Sequence, residues 1–431
     1  MAIATNASDD SRKLDKSDTV ALSPEHLRVG MYVDLNCGWF RHPFPRRSFK
    51  LSSASQIVTI KGLGLNTVLV YPRESDPDPD AEGTPSNTGS AARATVDPDS
   101  RSASEGTTAD MNPPPPDEEL PTHGDYHQAV ELASETYRQM LGTSTQMMDA
   151  LTRGSEEGMR SAETMIAGIS TLLTHTQAAG TVASAFDPED IKDASVLHSL
   201  NVATLSMMVA QQFDIDQDSL QMVGLAGLLL DIGERRIPRH ILETRAHRSE
   251  TENVKYQLHP YLGVDMLRRF PGMPDEVLDV IRSHHERLDG SGYPEKLKGD
   301  QISFPTRIVS AVDHYDTLVN SRYAEEALSP AEALATMYKH EKQLFSTEVV
   351  VALIHTLGIY PPGTVVSLSD GSFGLVLNIN FKNRMKPLVL IYHPAPAQDP
   401  IPSISWKTRV SASSVPYLVR NCPARLSTSS G

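Results

Sequence analysis

The stretch from residue 74 to residue 119 decides how this chain can be divided. It holds eight prolines and twelve acidic residues against two basic ones, Arg93 and Arg101, and no aromatic side chain. Val96 and Met111 are its only large apolar residues. So little apolar surface cannot offset the entropy lost on ordering a backbone, and the segment is expected to be a disordered acidic linker. Four prolines, Pro113, Pro114, Pro115 and Pro116, would stiffen its end as a polyproline II rod. Folded structure must therefore be built separately before and after it.

Charge follows the same division. The 431 residues carry 39 Lys+Arg against 54 Asp+Glu, a net of −15, and the linker alone contributes 2 − 12 = −10. Such a balance lacks the broad basic surface that phosphate backbones require, so neither DNA nor RNA is expected as a partner. Cys37 and Cys422 lie at opposite ends and form neither a zinc-knuckle spacing nor a disulfide framework. The opening MAIATNASDDSRKLDK has no apolar core of the signal-peptide kind. The most apolar run, residues 222–230, falls short of the ~18–20 residues that span a bilayer. The expectation is a cytoplasmic protein with no membrane contact.

Residues 23–73 read as a small α+β module. VGMYVDL alternates like a strand, NTVLVYP is a β-branched run stopped by Pro72, and SSASQIVTIKGLG between them offers serine caps and a glycine stop for a helix. Residues 120–184 read as lead-in helices. Val130, Ala133, Tyr137, Met140, Ser144, Met147 and Leu151 recur at three- and four-residue steps, and Met165, Ile166, Ile169, Leu172 and Leu173 form a second stripe. Residues 185–358 continue as helix. Residues 359–415 turn β-rich, with Asp370-Gly371 reading as a hairpin turn.

Chemistry concentrates in the third of these regions. His198 lies in VLHSLNVATLS, Asp231 ends the apolar GLAGLLLDIG, His259 sits in QLHPYLG, His284 and His285 open HHERLDGSGYP, and Asp313 follows in RIVSAVDHYD. Each alone reads as an ordinary core histidine or helix-ending aspartate. Together they offer the imidazole and carboxylate donors that suit iron, manganese, zinc or nickel, and a helical bundle can aim such side chains at one interior point. Adjacent histidines on a helix diverge by about 100°, so His284 and His285 can share a site only near a helix end. The glycine-rich loop after them supports an end there.

HHERLDGSGYP, the downstream RIVSAVDHYDTL and the upstream HSLNVA, in this order, resemble the HD-GYP family of HD phosphohydrolases over roughly residues 185–355. The resemblance implies a mainly α fold: an HD-type helical bundle, preceded by the α+β module and followed by the β-rich segment. It implies a metal-dependent phosphodiesterase that hydrolyses cyclic di-GMP to the linear dinucleotide or GMP. By analogy, one divalent transition metal is held by Asp231, His259, His284 and His285. Asp231 bridges to a second metal that draws on His198 and Asp313. One or two metals per chain are expected, iron or manganese in preference to zinc or nickel. Gly290, Gly292, Tyr293, Pro294 and Arg322 would contact the substrate. Signalling-protein partners and a homodimer complete the expectation.

Departures from the family pattern concern the same site. The family's His-Asp doublet, followed by Ile-Gly-Lys, is here Leu230-Asp231-Ile232-Gly233-Glu234. Leucine has no lone pair for a metal, and Glu234 replaces a cation; it is read as a solvated surface residue beside Arg235 and Arg236 in preference to a carboxylate turned into the metal shell to replace the missing histidine in part. Ala194 stands where members with a third metal carry glutamate, and Glu325 and Glu326 stand where two basic residues are usual. Three readings follow: a phosphodiesterase with a partly degenerate site; an inactive HD-GYP protein that binds a nucleotide or a partner protein as a sensor or adaptor; or, against the GYP loop, a phosphohydrolase for another phosphoester.

Overall fold

The computed structural model describes residues 19–77, 123–175, 194–213, 215–243, 248–321, 326–362, 364–368, 372–378, 387–392 and 405–407. The first module is an antiparallel sheet of β1 (Val20–Leu22), β2 (Tyr32–Asp34), β3 (Ser48–Lys50) and β4 (Val68–Tyr71), in the order β1-β4-β2-β3. Helix α1 (Ala54–Gly62) starts where Ser53 accepts from Gln56 N, and Gln56 reciprocates. Val33, Leu35, Leu51, Ile60, Val68 and Val70 form the buried core of the module. Ser75 and Asp76, which composition assigned to the linker, still belong to it. Tyr32 N donates to Ser75 Oγ (2.9 Å), and Lys50 pairs with Asp76 (2.5 Å).

The second body is helical. Helices α2 (His123–Thr152) and α3 (Glu156–His175) bury the two apolar stripes that the sequence predicts, including Tyr137, Met147, Leu151, Ile166 and Ile169. Helices α4 (Ala194–Ala210) and α5 (Gln217–Leu229) are enclosed on nearly every side, as helices without a polar face must be. Short α6 (Arg239–Glu243) and α7 (Glu250–Tyr256) lead to α8 (His259–Leu267) and α9 (Asp275–Ser283), and α10 (Phe304–Val319), α11 (Pro330–His340) and α12 (Thr347–Leu357) close the bundle. A second antiparallel sheet follows: β5 (Val365–Ser367), β6 (Phe373–Asn378), β7 (Leu388–Tyr392) and β8 (Ser405–Lys407). The architecture is thus mainly α, with a small α+β module before it and a small sheet after it. Asp370-Gly371, the expected turn, lies outside the described residues.

The module is seated on the bundle. Trp39 is buried in the helical core, edge-on to Phe304 at 5.5 Å, and Phe213 meets the same ring at 4.8 Å. Thr59 donates to Asp300 (2.7 Å) at the rim of that contact. Among the described residues, no helix is long and apolar enough to cross a membrane.

Candidate metal centre

Five separate elements bring the predicted residues together. His198 projects from the middle of α4, Asp231 follows α5, and His259 opens α8. His284 is the cap residue that ends α9, with His285 just beyond it, and Asp313 lies on α10. The doublet thus occupies a helix end, where adjacent side chains can converge. Gly233 sets Asp231 beside His259: a Cβ there would lie 2.0 Å from the His259 carbonyl oxygen and 2.5 Å from Gly263 N. Only glycine lets the 3-10 turn Ile232–Arg236 lie so close to α8.

The ligand atoms of Asp231, His259, His284 and His285 all lie within 4.8 Å of one another. His259 Nδ1 donates to Tyr256 O (2.9 Å) and His284 Nδ1 to Ile281 O (2.7 Å). With those protons engaged, each Nε2 is left to face the interior, and the two Nε2 atoms are 3.3 Å apart. Both look at one oxygen, Asp231 Oδ1, at 3.3 and 3.5 Å. Two N–H groups would confront each other at that separation, whereas two lone pairs and a carboxylate oxygen converging on one point suit a cation. Asp231 Oδ1 and His285 Nε2 are buried without a hydrogen bond of good geometry among the described residues. The donor set therefore fits a metal ion.

The other Asp231 oxygen faces a second group. Oδ2 is 3.6 Å from His198 Nε2, which is also 3.1 Å from Asp313 Oδ1. His285 Nδ1 lies 3.7 Å from Asp313 Oδ2. Behind His198 stands a residue that sequence reasoning missed: Asp316 accepts from His198 Nδ1 at 2.7 Å. Asn201 Nδ2 (3.0 Å) and Asn320 Nδ2 (2.8 Å) donate to its other oxygen. The signal was available in spacing, because Asp316 is three residues beyond Asp313 and Asn201 three beyond His198, on the same helix faces.

Electrostatics set protonation. Burial opposes charge on His198, yet its hydrogen bonds to the Asp313 and Asp316 carboxylates hold its pKa well above the ordinary value. Burial likewise works against the Asp231 carboxylate, but His259 and His284 pull its pKa well below the usual range. His285 is pushed well down by burial and by its two histidine neighbours. Glu234 is not the solvated residue expected. It accepts from Tyr256 and lies in the field of Asp231, His259 and His198, and burial followed by Asp231 raises its pKa. Arg235 and Arg236 turn away to pair with Asp149 (2.5 Å) and Asp265 (2.6 Å). Leu230 is fully buried in the apolar core.

One wall is the loop after the doublet. Tyr293 lies over His285, with ring centroids 4.6 Å apart, and Pro294 follows it through a cis peptide. Gly290 has φ +81°, and a Cβ on Gly292 would sit 2.4 Å from Arg287 N and 2.5 Å from the His285 carbonyl oxygen. Buried Glu286 holds the loop from inside, accepting from Glu295 N (2.6 Å) and Leu297 N (2.9 Å). Arg322 lies outside the described residues.

Residues 163–349 match the HD domain model, and residues 20–162 match a domain of unknown function (DUF3391). A cyclic di-GMP phosphodiesterase of Pseudomonas aeruginosa is 34% identical over 48% of this chain and 50% of its own length. A 3'3'-cGAMP-specific phosphodiesterase of Vibrio cholerae is 31% identical over 38% of this chain and 35% of its own. The chain thus spans half or less of the length of these relatives. A solved structure, an HDG"Y"P protein from Bdellovibrio bacteriovorus, covers 78% of this chain and 98% of its own at 14% identity and a TM-score of 0.42. HHERLDGSGYP thus stands intact inside residues 163–349, over which the chain carries an HD domain.

Proposed function

We propose that the chain is a metal-dependent phosphodiesterase that opens cyclic di-GMP to the linear dinucleotide or GMP in the cytoplasm. The observation that carries the reading is the pair of histidine Nε2 atoms, 3.3 Å apart and both facing Asp231 Oδ1, with their Nδ1 protons held by backbone carbonyls. His259, His284, His285 and Asp231 would hold one divalent ion, and Asp231, His198 and Asp313 a second. Iron or manganese is favoured by the imidazole and carboxylate donors, with zinc and nickel compatible. When bound, such ions acidify a water and take up charge on a phosphodiester. The chain supplies the rest: Asp231 joins the two groups, Tyr293 and Pro294 wall the ligand, Gly290 and Gly292 let backbone approach it, and Arg322 would meet phosphate. Glu234 stands where the family carries lysine. Burial and the neighbouring Asp231 carboxylate raise its pKa above the ordinary value.

Elemental analysis of the purified chain, followed by incubation with cyclic di-GMP and Mn(II) or Fe(II), tests the reading. Metal in the chain and a linear product lost in His284→Ala are expected; no metal overturns it. The Vibrio relative's substrate, 3'3'-cGAMP, belongs in the same assay, and faster turnover of it would overturn the choice of cyclic di-GMP.

A second reading rests on Leu230 and Glu234. With the doublet histidine replaced by a core leucine and the lysine by a carboxylate turned inward, the chain would bind a nucleotide or a signalling partner, as monomer or homodimer, without turnover. Calorimetric binding of cyclic di-GMP with no product over hours would favour it. The unit boundaries at residues 119, 184 and 358 belong to the same proposal, with the first module extended to residue 76.

A further inference from the structure

The lead-in helix α2 reaches the metal centre through one chain of hydrogen bonds. Tyr137, fully buried on α2, donates its hydroxyl proton to Asn201 Oδ1 at 2.6 Å. Asn201, on α4, donates from Nδ2 to Asp316 Oδ1 at 3.0 Å. Asp316 accepts from His198 Nδ1 at 2.7 Å, and His198 Nε2 faces Asp231 and Asp313. Every link has a fixed direction, because the phenol gives its proton, the amide accepts on one side and gives on the other, and the carboxylate only accepts.

That direction has a consequence for Asn201. Its amide could be turned over in place, which would set Oδ1 against the Asp316 carboxylate. Two groups stand against the turned amide: the Asp316 carboxylate, which repels Oδ1, and the Tyr137 hydroxyl, which would lose the acceptor it has at 2.6 Å. We propose that Tyr137 is a positioning residue for the metal centre: by fixing Asn201 it fixes the Asp316–His198 pair, so the seating of α2 sets metal affinity on the His198 side. The inference rests on the metal reading above. It gives a role to a helix that lies before the matched HD domain, within the residues that match the domain of unknown function.

Supporting groups around ligating histidines are typically worth 10–100-fold in metal affinity, and Tyr137 stands one step further out. Metal-stripped full-length chain, titrated with Mn(II) or Zn(II) against a competing chelator, is expected to lose about tenfold in the weaker of two affinities in Tyr137→Phe, with the tighter one unchanged. Asn201→Ala, which removes the next link, should show the same selective loss. Tyr315→Phe is the control, since that buried hydroxyl makes no hydrogen bond among the described residues, and its affinities should match wild type. Melting temperatures with and without metal are read alongside. A merely structural Tyr137 would lower both forms equally and leave the metal-induced rise intact; that result, with unchanged affinities, overturns the inference while the metal reading stands. Wild-type chain that takes up no metal overturns both.

Discussion

At the scale of single residues, the centre is defined as much by what holds each ring as by the rings themselves. His259 and His284 are fixed by carbonyls one turn earlier in the chain, and His198 by a carboxylate. His284→Ala should therefore reduce metal per chain and cut turnover at least 100-fold, taking the effect of lost supporting groups as a lower bound; elemental analysis and product chromatography check both. Leu230→His with Glu234→Lys tests the missing doublet. An imidazole introduced into an apolar core without a partner costs about 1–3 kcal/mol, so the metal-free double variant should melt lower than wild type. If the ring finds a metal, the loaded variant recovers that loss and turns over faster. His42 makes a separate prediction, far from the chemistry. Burial lowers its pKa from 6.5 to about 4, so the unfolded chain binds more protons between those values. Stability is then flat above pH 6.5, falls by at most ~1.4 kcal/mol per unit as the pH drops toward 4, and levels below. His42→Gln should flatten that slope in urea unfolding.

At the scale of elements, periodicity made the helices legible. The stripes on α2 and α3 recur every three or four residues because one face of each must be buried, and the serine cap of α1 stands directly before its helix. The proposed ligands were legible because their order along the chain is a motif. Glu234 reads as solvated in preference to facing the centre, since a carboxylate between glycine and two arginines looks solvated. A 3-10 turn rotates each residue by about 120°, which sends Arg235 and Arg236 outward to Asp149 and Asp265 while Glu234 faces the centre. Asp316 was missed although its spacing sets it on the same helix face as Asp313, because that spacing does not show that His198 lies across from it. The loop after the doublet supplies the prediction at this scale. Gly292→Ala forces a Cβ into backbone at 2.4 Å, which should cost about 1–3 kcal/mol or more and lift Tyr293 from His285. Thermal melting reads the first effect, and faster proteolysis of the loop the second.

At the scale of the whole molecule, the module and the bundle meet around the Trp39–Phe304 contact, with the Thr59–Asp300 hydrogen bond at its rim. Trp39→Ala removes a buried ring, a change that typically costs about 3–5 kcal/mol. The expected result is a lower first melting transition and a larger radius of gyration in solution scattering. An unchanged scattering curve would count against a seat built on Trp39. Composition could separate the two parts but could not bring them together, because a contact between distant segments leaves no periodic trace in either. Its location carries a mechanical meaning. Trp39 rests on Phe304, the first residue of α10, and Asp313 stands nine residues later on the same helix, about 13.5 Å along its axis. A helix is stiff over so short a length, so it works as a lever with the module's weight at one end and two carboxylates at the other. Whatever tilts the module tilts Asp313 and Asp316 with it, and no residue in between has to exchange a partner for the movement to arrive.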